Sequence, residues 1–146
     1  MSSQKDIEKM ALVAEQWFSG VYPTAPKLDY SIESLQAIDS ALEHNVSTFN
    51  SQDAIDAILS SFGAYLGEVI RRQIGGTWMF DEELPRMVSK NPGSSKLDGI
   101  TTYPFRKVLK RLRNGEEDSV YGYALVVCNP NTPERIMLAS TSHNHL

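Results

Sequence analysis

Cysteine is nearly absent. Cys128 is the only one in 146 residues, so no intramolecular disulfide can form and a stapled secreted scaffold is excluded. It lies in an apolar run and reads as a buried, inert thiol rather than a reactive one. Histidine is almost as scarce, with His44, His143 and His145 alone. His143-x-His145 would chelate a metal only with further ligands, and no other Cys or His stands near it, so a tail without metal is the plainer reading. The chain has no GxSxG elbow, no CxxC pair, no phosphate-binding glycine loop and no Ser-His-Asp arrangement. Nucleophilic and redox catalysis therefore have no visible support, and no cofactor is implied. Long hydrophobic runs are also missing: the start Met1-Ser2-Ser3-Gln4-Lys5-Asp6 is polar and runs into an amphipathic pattern, so neither a signal peptide nor a membrane span is expected. The expected location is the cytoplasm.

What is present suits one globular domain. Apolar residues make up 41% of the chain and charged residues 22%, close to the globular average. A chain of this length buries roughly 70% of the surface its unfolded form exposes, enough for a single core. The net charge is −4 and unevenly spread: residues 1–76 hold 5 basic and 10 acidic side chains, residues 77–146 hold 9 and 8. Such an acidic chain repels duplex phosphates except at a local basic patch, so nucleic acid is a poor partner.

Helical spacing of three and four recurs in Ile7, Met10, Ala11, Ala14, Trp17, Phe18 and Val21, which predicts a helix from Asp6 to Tyr22. Ser3 and Asp6 resemble a capping box at its start, and Gly20 and Pro23 mark its end. A second helix is expected from Ser31 to His44 on Leu35, Ile38, Ala41 and Leu42, capped by Asp29 or Ser31. The clearest element runs from Gln52 to Ile74, with Ile55, Ile58, Leu59, Phe62, Leu66, Val69, Ile70 and Ile74 as its apolar side. Gly63 and Gly67 stack one turn apart within it, each about 1 kcal/mol less favourable than alanine, so close packing or binding should offset them. Gly75-Gly76 stops this helix with residues that tolerate positive φ.

Thr77-Trp78-Met79-Phe80 reads as a strand, ended by Asp81-Glu82-Glu83 and Pro85. Met87-Val88 and Ile100-Thr101-Thr102-Tyr103 read as two more short antiparallel strands around the hairpin loop Asn91-Pro92-Gly93-Ser94-Ser95. Pro104 opens a further helix on Phe105, Val108, Leu109 and Leu112, which ends at Asn114-Gly115. Residues 120–127 are apolar throughout, compatible with helix or strand; Asp118 and Ser119 as a cap tip the reading to helix. After a proline-containing loop from Asn129 to Arg135, Ile136-Met137-Leu138-Ala139 suggests a terminal strand. The expected fold class is α+β, four to five helices packed on a small antiparallel sheet in a single domain covering residues 1–146.

Two charged groups merit testing as sites. Glu68, Arg71 and Arg72 occupy adjoining helical positions near Tyr65, the glycine cap and Trp78, and could hold a phosphate or carboxylate in a polar pocket; a surface salt bridge is the plainer alternative. Arg106, Lys107, Lys110, Arg111 and Arg113 lie around the polar side of their helix and could contact an acidic protein or phosphates. Interleaved aromatics for base stacking are missing there, and a solvated face partly neutralised by Glu116, Glu117 and Asp118 is the simpler account. Asp81-Glu82-Glu83 lacks the alternating ligand spacing of a calcium loop and reads as a solvated turn.

The stretch from Phe62 to Trp78, with Gly63-x-Tyr65-x-Gly67-Glu68-x-x-Arg71 and Gly75-Gly76-x-Trp78, is joined by Tyr103-Pro104-Phe105-Arg106-Lys107-Val108 and Arg113-Asn114-Gly115-Glu116-Glu117-Asp118-Ser119. Together these resemble a widespread bacterial domain family of unknown function, over about half the chain. The resemblance implies a small bacterial cytoplasmic domain and assigns no activity. The expected function is a noncatalytic protein-binding role, as an accessory or immunity-type partner of another protein. The alternative is a small-ligand-binding or enzymatic domain using Tyr65, Glu68, Arg71, Arg72 and Trp78.

Overall fold

A computed structural model describes residues 2–44, 50–89 and 99–129. It has the expected α+β class: five α-helices and one three-stranded antiparallel sheet in a single small domain. Helix α1 (Gln4–Val21) starts where Ser3 Oγ accepts the Asp6 amide at 3.3 Å. The backbone amide that the Asp6 carboxylate accepts is that of Ser2, at 3.0 Å, rather than the Ser3 amide of a capping box.

Helix α2 (Leu35–His44) begins four residues later than its spacing suggested. Asp29 and Ser31 cap a turn there instead of the helix: the Asp29 carboxylate accepts from the Ser31 amide and hydroxyl, and Ser31 Oγ accepts the Ser34 amide. The first bonds of the segment run Leu35 to Ile32, Gln36 to Glu33 and Ala37 to Ser34, a tighter winding that opens into the α-helix only at Leu35.

Helix α3 (Gln52–Ile74) is the axis of the molecule, packed against α1, α4 (Pro104–Asn114) and α5 (Val120–Cys128). Every residue from 61 to 70 is buried, so its middle is enclosed on all sides rather than on one stripe. Gly75 ends it at φ 78°, a left-handed conformation open to glycine, and its amide returns to the Arg71 carbonyl at 2.8 Å. The reversed chain enters β1 (Thr77–Met79), which pairs with β2 (Arg86–Ser89), and β2 with β3 (Ile100–Thr102). The registers Trp78 to Met87 and Met87 to Thr102 turn these three buried residues toward the helices.

The interior glycines of α3 have a packing cause. A Cβ on Gly63 would overlap the Phe105 ring, and one on Gly67 would overlap the indole of Trp78. The two rings lie side by side at 5.9 Å, so the bare strip of α3 is the seat for both β1 and the start of α4. A short 3-10 turn (Gly115–Asp118) follows α4, and Ser119 then caps α5 by accepting the Gly122 amide. The apolar run of residues 120–127 is thus helical.

Cys128, expected to be buried, is only partly so, because it ends α5 beside exposed Asn129. The hairpin loop of residues 91–95, the strand expected at 136–139 and the histidines at 143 and 145 lie outside the described residues.

These contacts set opposite signs for two glycine substitutions. Gly67→Ala is expected to destabilise by about 1–3 kcal/mol, because overlap with Trp78 outweighs the gain in helix propensity. Gly20→Ala, in α1 with nothing within 4 Å, is expected to stabilise by up to about 1 kcal/mol. Urea unfolding of both variants checks the pair; equal effects would disprove the packing account.

Candidate functional site

Glu68 has no exposed surface, so its charge must be answered inside the protein. Arg71, one turn on, supplies a two-point bond, Nε to Oε2 at 2.7 Å and Nη2 to Oε1 at 2.9 Å. The indole N–H of Trp78 donates to Oε2 at 3.0 Å. Burial raises the Glu68 pKa, but the bonds from Arg71 and Trp78, with the charges of Arg71 and Arg72, outweigh it and hold the carboxyl below its ordinary range. Arg71 also reaches Glu8 of α1 at 3.7 Å. The expected cluster does assemble, then, but as an enclosed lock joining α3, α1 and β1. The Glu68 carboxylate faces its own arginine and indole and has no exposed surface, while Arg71 keeps 23% of its own.

Tyr65 and Arg72 belong to a neighbouring node centred on Tyr30, which the sequence did not single out. Tyr30 has φ 65°, a left-handed conformation that penalises an aromatic residue by about 1–2 kcal/mol. Several contacts hold it, among them a bond from the Gln73 side chain to its carbonyl at 3.5 Å. Its amide donates to the Tyr65 hydroxyl at 2.9 Å, and its own hydroxyl donates to Glu15 at 2.7 Å. Its ring packs on Tyr65 at 4.7 Å, and the Arg72 guanidinium lies over the ring at 3.5 Å. The Tyr65 hydroxyl also pairs with Ser34 at 2.6 Å. Burial pushes both phenols upward in pKa, so both stay protonated at neutral pH. No composition signal marks such a residue, because a lone tyrosine before a serine gives no warning of positive φ.

The five cations of α4 do not form one outward stripe. Arg111 is 3% exposed and Lys107 is 7% exposed; both turn inward. Arg111 donates to the Asp39 carboxylate at 3.0 Å, to the Asp39 carbonyl at 3.1 Å and to Glu43 at 3.0 Å. Lys107 donates to Asp118 at 3.0 Å and lies 5.4 Å from the Tyr123 ring. Arg106 covers Tyr103 at 4.6 Å, Lys110 is half-buried and Arg113 is exposed. The stripe is broken because Arg111 meets carboxylates of α2, 68 and 72 positions away, where helical spacing within α4 has no view of them, while Lys107 meets Asp118, one of the nearby carboxylates expected to neutralise the face. The acidic turn is also engaged: Asp81 holds Arg86 at 2.8 and 3.0 Å, and Glu82 holds it at 3.0 Å.

Asp39 emerges as a second node. Besides Arg111, its carboxylate accepts from Ser119 Oγ at 2.6 Å and from the amides of Val120 and Tyr121 at 3.0 and 3.1 Å. It therefore caps α5 from another helix, placing negative charge where the free amides and the helix dipole favour it. Beside it opens a cleft of about 440 Å³ lined by Asp39, Ser40, Glu43, His44, Arg111, Glu116 and Ser119. Three carboxylates face one guanidinium there, so the cleft is negative and suited to a cationic group. Among the described residues no group of three His, Cys, Asp or Glu side chains is arranged to hold a metal ion, and no helix is long and apolar enough to cross a membrane. Comparison with protein-family models, curated proteins and solved structures finds no match.

Two predictions follow from the nodes. Glu68→Gln should lose about 2–3 kcal/mol at neutral pH, less than for a fully buried pair because Arg71 keeps 23% exposure. Since the folded pKa lies below the ordinary 4.5, that contribution is complete above 4.5 and disappears as pH falls through the folded value. Denaturant curves of wild type and variant should converge in acid, and a constant gap would contradict the charge assignment. Asp39→Ala should speed amide hydrogen exchange at Val120 and Tyr121 by about tenfold or more, while amides in the middle of α3 keep their protection. Uniform acceleration through α3 would instead mean that Asp39 supports the whole core.

Proposed function

We propose that the chain is a noncatalytic protein-binding domain, an accessory or immunity-type partner that covers a surface on a bacterial target protein. The observation that carries this reading is the outer side of α5. Its nine residues, Val120–Cys128, include no charged side chain. A helix apolar all round is normally enclosed. Here Val120, Tyr123, Ala124 and Val127 are buried, whereas Leu125 keeps 41% of its surface and Tyr121 and Val126 are half-buried.

Helix α1 also exposes Leu12, Val13 and, at its end, Val21, but it is amphipathic and sets the first two among Lys9, Gln16 and other polar residues, which is ordinary for a surface helix. The enclosure of Glu68 speaks against the competing reading, a small-ligand or enzymatic pocket at Tyr65, Glu68, Arg71 and Trp78. The single cysteine supports a reducing compartment, and we place the activity in the cytoplasm.

Tagged wild-type protein should capture one protein at stoichiometric yield from its native cells. Leu125→Glu should lose that protein while keeping its circular dichroism and melting temperature. Equal capture by the folded variant, or no stoichiometric partner for the wild type, would refute the reading.

A further inference from the structure

Resting on that protein-binding reading, we infer that the partner presents a cationic amphipathic segment, with an apolar row laid on the outer side of α5 and a lysine or arginine entering the cleft beside Asp39. The apolar and acidic surfaces adjoin. The Asp39 carboxylate on the cleft wall accepts the Tyr121 amide at 3.1 Å, and Leu125 stands one turn beyond Tyr121 on the same side of α5. A ligand that covers Leu125 and Tyr121 therefore reaches the cleft at its end.

Charge selects the occupant. Of the groups facing the cleft, Arg111 is already engaged by Asp39 and Glu43, while the Glu43 side chain remains 50% exposed and Glu116 is exposed. An incoming cation meets carboxylates with unused lone pairs. A second copy of this chain does not fit, because a two-fold contact through this side would set the same carboxylates against one another. Nucleic acid and anionic lipid surfaces are repelled for the same reason.

The test uses the full chain and a fluorescent helical peptide built of leucine on one face and lysine on the other, with a leucine and glutamate peptide of the same pattern as control. Anisotropy should detect binding of the lysine peptide alone, weakened about tenfold or more by E43Q/E116Q and by raised salt, and by L125S. Glutamine at position 43 keeps an acceptor for Arg111, so folding is preserved. A photoreactive residue in place of Leu125 should cross-link to the lysine peptide. Equal binding of the glutamate peptide, indifference to E43Q/E116Q, or cross-links solely to a second copy or to residues 130–146 would overturn the inference. A native partner captured through Leu125 yet insensitive to E43Q/E116Q and to salt would defeat this inference and leave protein binding standing. Failure to capture any partner defeats both.

Discussion

A carboxylate with no exposed surface is tolerable only when donors are fixed around it, and the arrangement around Glu68 organises much of this fold. Arg71 and Trp78 fill its oxygens with three bonds. The Trp78 bond anchors β1 on α3, and the anchored indole has room only because Gly67 has no side chain. Phe105 then packs beside that indole over Gly63, which fixes where α4 starts. The glycines, the acid, the arginine and the tryptophan thus make one packing solution. Each is costly alone, and together they bring β1, α3 and α4 into a single arrangement.

Asp39 works through Arg111, further along α4. Helix α5 is short and almost wholly apolar, so nothing along its own length satisfies its first amides except Ser119. The carboxylate from α2 completes the cap, and Arg111 holds that carboxylate in place. One consequence is internal: Asp39 joins α2 to α4 by its ion pair with Arg111 and to the start of α5 by hydrogen bonds from backbone amides. The other is external, since the same node leaves an apolar helix side next to a negative cleft. A surface of that mixed kind offers contact area through its apolar part and selects the sign of its partner through its acidic part.

The residues shared by the motifs of α3, the glycine cap and the start of α4 are those of the Glu68 lock. Their spacing matches the contacts by which α3 receives Trp78 and Phe105, and the Glu-x-x-Arg pair bonds within the protein beside the tryptophan. The cations of α4 teach the same point. Their number and helical spacing were plain, yet two of the five are interior, because their partners sit on α2 and on the turn after α4.

Periodicity was enough for the helices at residues 4–21, 52–74 and 104–114, for the glycine stop at Gly75 and for three short antiparallel strands, since each depends on contacts within a few residues. It was also enough to show that Gly63 and Gly67 needed a reason. The reason itself, Trp78 and Phe105 seated on α3, required elements to meet in space. The same holds for the helical state of residues 120–128, which takes part of its cap from α2, for the left-handed Tyr30 held by Tyr65 and Arg72, and for the inward turn of Arg111. Local spacing encodes the backbone because its hydrogen bonds are local; burial, charge pairing and caps borrowed from another helix join residues up to 82 positions apart, and those are settled only when the chain has closed on itself.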